Sequence, residues 1–202
     1  MAKLAIIDYG MGNLRSVQKA FEHIGVTADI TDDPNTIARA DGAVLPGVGA
    51  YADCMKNLTE AGLVPVVRQV AESGRPFLGI CLGLQLLFER SEEGGNFVGL
   101  GILPGRVVAI PPGRKIPHMG WNTLQVLQRN PLFAGLPEEA YVYFVHSFHA
   151  LPADPALLAA TCDYGVPVTA AVARGNLFAT QFHPEKSGDV GLQILRNFGG
   201  LL

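Results

Sequence analysis

The first half of the chain alternates short apolar runs with amphipathic segments, and this alternation restricts the fold more than any other feature of the sequence. The apolar runs predict buried strands at residues 4–7, 28–30, 42–45 and 76–80, the third of them stopped by Pro46-Gly47. The segments between and after these strands predict helices at residues 14–24, after Asp33-Pro34, and at 50–60, 64–72 and 82–90. Strands and helices in this order favour a doubly wound, mostly parallel sheet with helices on both faces and with sites at the carboxyl ends of the strands.

The second half of the chain has a different pattern. Many Gly and Pro residues and short β-like runs between residues 97 and 128 predict antiparallel or irregular additions to the sheet. Residues 141–145, 167–173 and 176–182 predict further strands, and residues 188–198 predict a closing helix. Because no repeat, linker or low-complexity tract interrupts the pattern, we expect one α/β domain that covers residues 1–202.

The composition excludes several classes of function. The net charge is −3 and Lys and Arg are scattered singly, which argues against a nucleic acid or an anionic membrane as partner. No apolar run approaches the roughly 20 residues that span a bilayer, and Asp8 interrupts the N-terminal apolar run too early for a signal peptide. Cys54, Cys81 and Cys162 are widely spaced and form no CxxC pair, so we expect reduced thiols in a cytoplasmic protein, without a disulfide framework or a zinc site.

The segment Gly79-Ile80-Cys81-Leu82-Gly83 follows an apolar strand and begins an apolar-periodic helix, which predicts a nucleophile elbow with cysteine as the nucleophile. Such a sharp turn strains the backbone of the nucleophile and requires small flanking residues, which Gly79 and Gly83 provide. The helix dipole at Cys81 favours thiolate, and the amide of Leu82 points to where an oxyanion would form. The alternative is a buried structural cysteine between two packing glycines.

A base and an orienting carboxylate follow near the end of the last predicted strand. His183 can take the thiol proton and Glu185 can hold the imidazole, while Pro184 fixes the backbone between them. Taken alone, a His-x-Glu pair is more typical of a surface loop. The remaining histidines are weaker candidates for the catalytic base. His23 lies in a predicted helix and His149 in a predicted loop, and we interpret His118 and His146 as structural or interface residues.

The segment Pro46-Gly47-Val48-Gly49 follows the third predicted strand and, taken alone, indicates an ordinary turn into a helix. In a doubly wound sheet, such a loop lies beside the elbow and can supply a second oxyanion donor. Glycine on either side of Val48 leaves this peptide free to turn its N–H toward the site.

These three segments together resemble the class I (triad) glutamine amidotransferases, which hydrolyse the side-chain amide of glutamine and pass the ammonia to a synthase. Four further segments resemble one branch, the glutaminase subunits of imidazole glycerol phosphate synthase in histidine biosynthesis: residues 8–14, 117–122, 143–148 and 181–187. The resemblance covers residues 3–198. It departs at Leu84, where the family often has Met, and at Phe148, where Tyr is common.

The resemblance implies roles for individual residues. Cys81 attacks the carboxamide and forms a γ-glutamyl thioester, with His183 and Glu185 as its partners. The main-chain amides of Val48 and Leu82 form the oxyanion hole, and in this family the loop at Val48 needs a peptide flip to become competent. The residues implied in glutamine binding are Gly47, Gly49, Gln85, Ser147 and Phe148, of which Ser147 and Phe148 hold the charged end through main-chain groups. Without the resemblance, Gln85 is interpreted as an exposed helix residue.

The resemblance also implies a partner, a separate (β/α)₈ cyclase subunit in a heterodimer. The residues implied at the interface are Asn13, Trp121, Tyr143 and Lys186; without the resemblance, Lys186 is a solvated charge and Trp121 a core residue. The joint reaction takes glutamine and a phosphorylated ribulosyl-formimino carboxamide nucleotide to imidazole glycerol phosphate, aminoimidazole carboxamide ribotide and glutamate. No metal or organic cofactor is implied, and we expect the isolated chain to be a poor glutaminase.

Two alternatives keep the same fold. A free-standing γ-glutamyl hydrolase or small-peptide cysteine peptidase would use the same triad without a synthase, but has no need for the interface segments. A non-enzymatic redox or binding module would keep the elbow cysteine, but has no need for His183 and Glu185 after the last strands.

Overall fold

The computed structural model describes residues 3–202. The strands in this range are β1 (Leu4–Ile7), β2 (Ala28–Thr31), β3 (Gly42–Gly47), β4 (Phe77–Cys81), β5 (Phe88–Ser91), β6 (Phe97–Val98), β7 (Leu103–Ala109), β8 (His118–Thr123), β9 (Gln125–Val126), β10 (Tyr141–His146), β11 (Phe148–Pro152), β12 (Leu158–Asp163), β13 (Pro167–Arg174) and β14 (Leu177–Thr180). The α-helices are α1 (Leu14–His23), α2 (Pro34–Arg39), α3 (Tyr51–Glu60), α4 (Val64–Glu72), α5 (Leu82–Leu86) and α6 (Gly188–Gly199). Short 3₁₀ turns cover Pro131–Phe133, Pro155–Leu157 and Pro184–Lys186.

The central sheet has the strand order β2-β1-β3-β4-β14-β13-β12-β9. Its first five strands pair in parallel, and β13, β12 and β9 extend it by antiparallel pairing. Two smaller sheets, β10-β8 and β11-β7-β5-β6, complete the structure. The predicted α/β fold, a mostly parallel sheet with antiparallel additions, is therefore confirmed.

Helices cover both faces of the central sheet and enclose two apolar cores. On one face α1 and α6 bury Phe21 and Phe198, whose rings lie 6.1 Å apart. On the other face α3 and α4 bury Leu58 and Val67. Removing a side chain of this size from water contributes on the order of 2 kcal/mol, so both helix layers are held to the sheet by burial.

The helix after β2 begins as its sequence predicts. The carboxylate of Asp33 accepts hydrogen bonds from the main-chain N–H groups of Asn35 and Thr36 at 3.2 and 3.0 Å. Pro34 takes the first helical position, where no N–H is needed.

Two predicted boundaries in the first half are wrong. Strand β3 does not stop at Pro46-Gly47 but continues through both residues, paired with Ile80 and Cys81 of β4. Because β3 pairs with β1 only as far as Val44, one edge of β3 is free at Pro46, and proline is tolerated there without an N–H.

The helix predicted at residues 82–90 ends at Leu86, and Phe88–Ser91 form β5 instead. The main-chain N–H groups of Leu100 and Ile102 donate to the carbonyls of Leu86 and Leu87, which ends the helix. Leu84, Leu87 and Phe88 are nevertheless buried, as their spacing predicts. The apolar pattern therefore identified the core face but not the change of secondary structure.

The sequence did not predict β11 and β12. Small residues such as Ala159 and Ala160 give β12 little strand character, although the strand is buried almost throughout. His149, expected in a loop, belongs to β11, and β14 is shorter than the predicted strand at 176–182. No helix within residues 3–202 combines the length and the apolar character needed to cross a membrane.

Candidate active site

The turn from β4 into α5 holds Cys81 in a strained conformation. Its φ of 56° and ψ of −108° make it the one non-glycine residue with positive φ in the described range. Positive φ costs an L-residue on the order of 1–3 kcal/mol. The expected strained elbow is therefore present, and Cys81 stands at the carboxyl end of a central parallel strand.

Glycines are required around this turn because backbone and side chains leave no room for a Cβ. A Cβ on Gly83 would overlap the carbonyl oxygen of Leu45, and one on Gly79 would lie 2.9 Å from the carbonyl carbon of Gly83. A Cβ on Gly47 would come within 2.8 Å of Leu82 Cβ. The three glycines therefore allow β3, β4 and α5 to approach each other at the nucleophile.

His183 and Glu185 form a buried pair on the 3₁₀ turn after β14. His183 Nδ1 and Glu185 Oε1 are 2.8 Å apart, and the two side chains are 2% and 1% exposed. The His183 main chain is fixed on both sides, since its N–H donates to Tyr143 O at 3.0 Å and its carbonyl accepts from Ser187 Oγ at 2.6 Å. His183 Nε2 is buried without a hydrogen-bond partner.

Charge favours the imidazolium form of His183. Burial lowers the pKa of this imidazole, but hydrogen-bonding and charge interactions with the Cys81 sulfur and the Glu185 carboxylate outweigh burial and raise the pKa well above its usual range. A histidine in this setting can hold the proton of a cysteine thiol and return it to a leaving amine.

A cavity of about 340 Å³ opens beside Cys81 and His183. It has the size of a pocket for a small organic substrate. The residues predicted in the site that line it are Val48, Gly49, Cys81, Leu82, Gln85, Ser147, Phe148 and His183. Gly47 and Glu185 lie behind this lining, paired with Cys81 and with His183 respectively. Four further residues line the cavity that were not predicted as site residues: Glu93, Pro117, Val145 and His146.

Gln85 is 2% exposed, so its interpretation as an exposed helix residue is wrong. Its Nε2 donates to Phe148 O and to Gln181 Oε1, both at 3.0 Å. Its Oε1 is buried without a partner. Gln85 therefore has only an acceptor left for a substrate.

The carbonyl of Phe148 accepts a second hydrogen bond, from His146 Nδ1 at 2.9 Å. His146 Nε2 must then accept from His118 Nδ1, also at 2.9 Å, which fixes the tautomers of both rings. Burial lowers the pKa of His118 to about 4 and that of His146 to about 3, so both are neutral at pH 7. With its carbonyl occupied twice, Phe148 has only its main-chain N–H for the predicted contact with the charged end of a substrate.

Two side chains hold the end of β3 and the loop that follows it. Tyr9 Oη donates to Pro46 O at 2.8 Å, and Cys54 Sγ donates to Val48 O at 3.5 Å. Gly49 follows with a φ of 98°, which favours glycine. The carbonyls before and after the Gly47–Val48 peptide are thus fixed.

Glu93 is a site residue that sequence reasoning missed. Its Oε2 accepts from the main-chain N–H of Tyr51 at 3.2 Å, and burial raises the pKa of its carboxyl. Glu92, directly before it, pairs instead with Arg106 on the surface. No sequence signal separates these two adjacent acids; only the turn after β5 directs one of them to the cavity.

The residues predicted at a partner interface lie away from the cavity lining. Trp121 on β8 is 56% exposed, which rules out the core interpretation, and its ring meets that of Tyr143 on β10 edge-on at 6.2 Å. Lys186 is exposed directly after Glu185, and Asn13 stands half-buried before the first turn of α1. Within residues 3–202 no cluster of His, Cys, Asp and Glu side chains has the arrangement of a metal site.

Comparisons with known proteins agree with this geometry. Residues 5–199 match the family described as glutamine amidotransferase class-I. The chain is 58% identical to "imidazole glycerol phosphate synthase subunit HisH" of Syntrophotalea carbinolica, over 98% of this chain and 100% of that protein. It is 53% identical to the protein of the same name from Moorella thermoacetica, over 100% of this chain and 96% of the relative.

Solved structures support the fold. PurLQS from Thermotoga maritima aligns with a TM-score of 0.77 at 21% identity, over 98% of this chain and 97% of that one. A structure described as a glutamine amidotransferase aligns with a TM-score of 0.75 at 21% identity, over 97% and 98% of the two chains. Fold, elbow and sequence identity thus agree, and the chain belongs to the class I glutamine amidotransferase family.

Proposed function

We propose that this chain is the glutaminase subunit of an imidazole glycerol phosphate synthase in histidine biosynthesis. It hydrolyses glutamine to glutamate and ammonia through Cys81, His183 and Glu185, and delivers the ammonia to a (β/α)₈ cyclase subunit. The observation that carries the proposal is the position of Cys81 and the buried His183–Glu185 pair beside one cavity, in a chain 58% identical to a protein of that name.

The proposed chemistry has two steps. Cys81 Sγ attacks the side-chain carbonyl carbon of glutamine while its proton is held on His183 Nε2, and Glu185 stabilises the imidazolium. The tetrahedral oxyanion is met by the main-chain N–H groups of Leu82 and Val48. His183 protonates the departing amine, ammonia leaves, and a water activated by the same imidazole hydrolyses the γ-glutamyl thioester.

The polar groups around the cavity suit a free amino acid. The half-buried carboxylate of Glu93 can pair with an ammonium group, and the free Oε1 of Gln85 can accept from a donor on the substrate. The main-chain N–H groups of Ser147 and Phe148 are available to a carboxylate. Gly47 pairs with Cys81 across β3 and β4, and Gly49 lines the same cavity as Cys81, so neither residue adds a side chain to the oxyanion loop.

The proposed partner contact is the apolar face of the β8/β10 pair, formed by Met119, Trp121, Tyr141 and Tyr143. Met119, Trp121 and Tyr141 are exposed large apolar side chains, and β8 and β10 pair so that Trp121 lies opposite Tyr143. Patches of this kind, with aromatic side chains at the centre, are typical of protein interfaces. Lys186 and Asn13 supply polar groups for the same partner.

Glutamate release from glutamine tests the proposal. Wild type and Cys81→Ala are compared, each alone and with the cyclase subunit and its nucleotide ligand. We expect slow release by the wild-type chain alone, strong activation by the liganded cyclase, and no release by Cys81→Ala under any condition. The Glu185→Gln variant retains the side-chain shape and should lose most of the activated rate.

Other outcomes separate the alternatives. Equal wild-type rates with and without the cyclase would favour a free-standing γ-glutamyl hydrolase. No release under any condition, with an intact fold, would favour a binding module that uses Cys81 as a redox group.

A further inference from the structure

Gln181 connects three parts of the site, although it does not line the cavity. It follows β14, whose residue Thr180 pairs with Ile80 of β4, so position 181 stands level with Cys81. Its side chain is fully buried, and its main-chain N–H donates to Ala170 O at 2.8 Å. The Gln181 Nε2 lies 3.7 Å from Cys81 Sγ, within hydrogen-bonding reach of sulfur.

The orientation of both amides in this network follows from one main-chain carbonyl. Phe148 O can only accept, so the end of Gln85 that faces it must be the nitrogen. The second N–H of Gln85 then faces Gln181, whose near atom must be the oxygen. The other end of Gln181, which faces Cys81 Sγ, is therefore an N–H donor. A flip of the Gln85 amide would place two acceptors against each other, and a flip of the Gln181 amide would place two donors against each other.

We propose that Gln181 is a positioning residue of the glutaminase reaction, which donates an N–H to the Cys81 sulfur and fixes the amide of Gln85 through its own oxygen. An N–H aimed at the sulfur stabilises thiolate over thiol, because a charged acceptor strengthens the hydrogen bond. The same side chain holds Gln85 with its free oxygen available to the substrate. This inference rests on the proposed function only for its kinetic consequences.

Two substitutions separate the roles of the two ends of Gln181. Gln181→Glu keeps an oxygen that can accept from Gln85 but replaces the N–H donor beside Cys81 with a second oxygen. Gln181→Met has similar volume and removes both ends without adding charge, which covers the case in which a buried carboxylate prevents folding. Thr180→Val is the matched control: Thr180 is buried at the end of β14, directly before Gln181, and its hydroxyl donates to Phe182 O and not to Cys81.

The first readout is the rate at which iodoacetamide alkylates Cys81 as a function of pH, followed by mass spectrometry of the Cys81 peptide. It requires neither glutamine nor the cyclase subunit. Loss of one charge-assisted hydrogen bond should raise the pH of half-maximal alkylation by about one unit in Gln181→Met. Gln181→Glu should raise it further, and Thr180→Val should match the wild type.

The second readout is steady-state glutaminase activity in complex with the liganded cyclase. We expect Gln181→Glu to lose kcat by about tenfold or more with KM little changed, because Gln85 keeps its partner. Gln181→Met should lose kcat and also raise KM, since the Gln85 amide is no longer fixed.

The inference is overturned if folded Gln181→Met and Gln181→Glu alkylate with the wild-type pH profile, or if Thr180→Val shifts the profile equally. Because alkylation is measured without glutamine, a shifted profile in a chain that releases no glutamate would uphold the contact while refuting the proposed function.

Discussion

At the scale of single residues, the site depends on Cys81 keeping a conformation that side-chain-bearing residues avoid. The strain is held by close approach of the surrounding backbone, which leaves no space at Gly79, Gly83 and Gly47. An unfavourable φ at the nucleophile is therefore maintained by the packing of the whole turn.

Gly83→Ala tests how tightly this turn is packed. In an ordinary helix, replacing Gly by Ala stabilises the protein. Here the new Cβ would overlap Leu45 O, so we expect the free energy of unfolding to fall by about 3 kcal/mol or more. Urea denaturation followed by circular dichroism measures it. Gly200→Ala, at the end of α6, meets only ordinary contacts at 3.5 Å and should be nearly neutral. Equal stability of the two variants would contradict the close packing.

The sequence predicted the residues whose chemistry and spacing are unusual and missed those placed by tertiary contacts. Cys81 stands in a recognisable glycine pattern, and His183 and Glu185 are joined by a local turn. Gln181 and Glu93 are common polar residues whose roles depend on register and on a turn. Their burial next to the cavity has no local signature.

At the scale of elements, the antiparallel β8/β10 pair places His118 opposite His146 and buries both rings. His118 stacks on Phe144 and Tyr164, with ring centroids 4.6 and 4.0 Å away. The two imidazoles are neutral and are joined by one hydrogen bond, which His118 donates to His146. This buried neutral pair makes the two strands sensitive to acid.

We expect the chain to lose stability as the pH falls from about 6.5, the ordinary value of a histidine pKa, towards 4. The pKa values of His118 and His146 are lowered to about 4 and about 3, so in this window the unfolded chain binds protons that the folded chain excludes. Each histidine contributes up to about 1.4 kcal/mol per pH unit. His183 affects stability in a different pH range. Because its pKa is raised, its contribution to stability is present below pH 6.5 and is lost as the pH rises above that value.

Urea titrations at several pH values between 4.5 and 7 measure this slope. His118→Gln should reduce it by about one proton, whatever its effect on absolute stability. His23→Gln, at an exposed position of α1, is the control and should keep the wild-type slope. An unchanged slope in His118→Gln would exclude the buried pair as its source.

Elements with strong periodicity were predicted well, and those that depend on distant partners were not. The strands and helices from β1 to β4 have apolar patterns of their own, and Asp33-Pro34 identifies the beginning of α2. In contrast, α5 ends early because the segment around Leu100 captures its carbonyls, and β12 is a strand because β13 and β9 flank it. Such competition between distant segments cannot be read from local pattern.

At the scale of the whole molecule, the apolar face of β8/β10 and the cavity are joined through the turn that carries His183 and Glu185. Tyr143 receives the His183 N–H on its carbonyl and donates its own N–H to Ser187 Oγ at 2.9 Å. A partner bound at Trp121 and Tyr143 would therefore contact the strand that supports His183.

Trp121→Ala should weaken binding of the cyclase subunit about tenfold or more, because exposed aromatic anchors at interface centres carry much of the binding energy. Isothermal titration calorimetry measures the Kd. Leu127→Ala, which removes a side chain of similar exposure beyond β9, should leave the Kd unchanged. If both variants bind like the wild type, the proposed face is not the interface.

The two carbonyls fixed by Tyr9 and Cys54 have a consequence for how the site can switch. With Pro46 O and Val48 O held, a rotation of the peptide plane between Gly47 and Val48, through ψ of Gly47 and φ of Val48, would leave the chain on either side in place. The change from an empty to a complete oxyanion hole would then move one N–H by a half-rotation and leave the sheet, the helices and the cavity walls as they are. The activity could then change without a change in overall shape. The orientation of the Val48 amide would distinguish the state with an empty oxyanion hole from the state with a complete one.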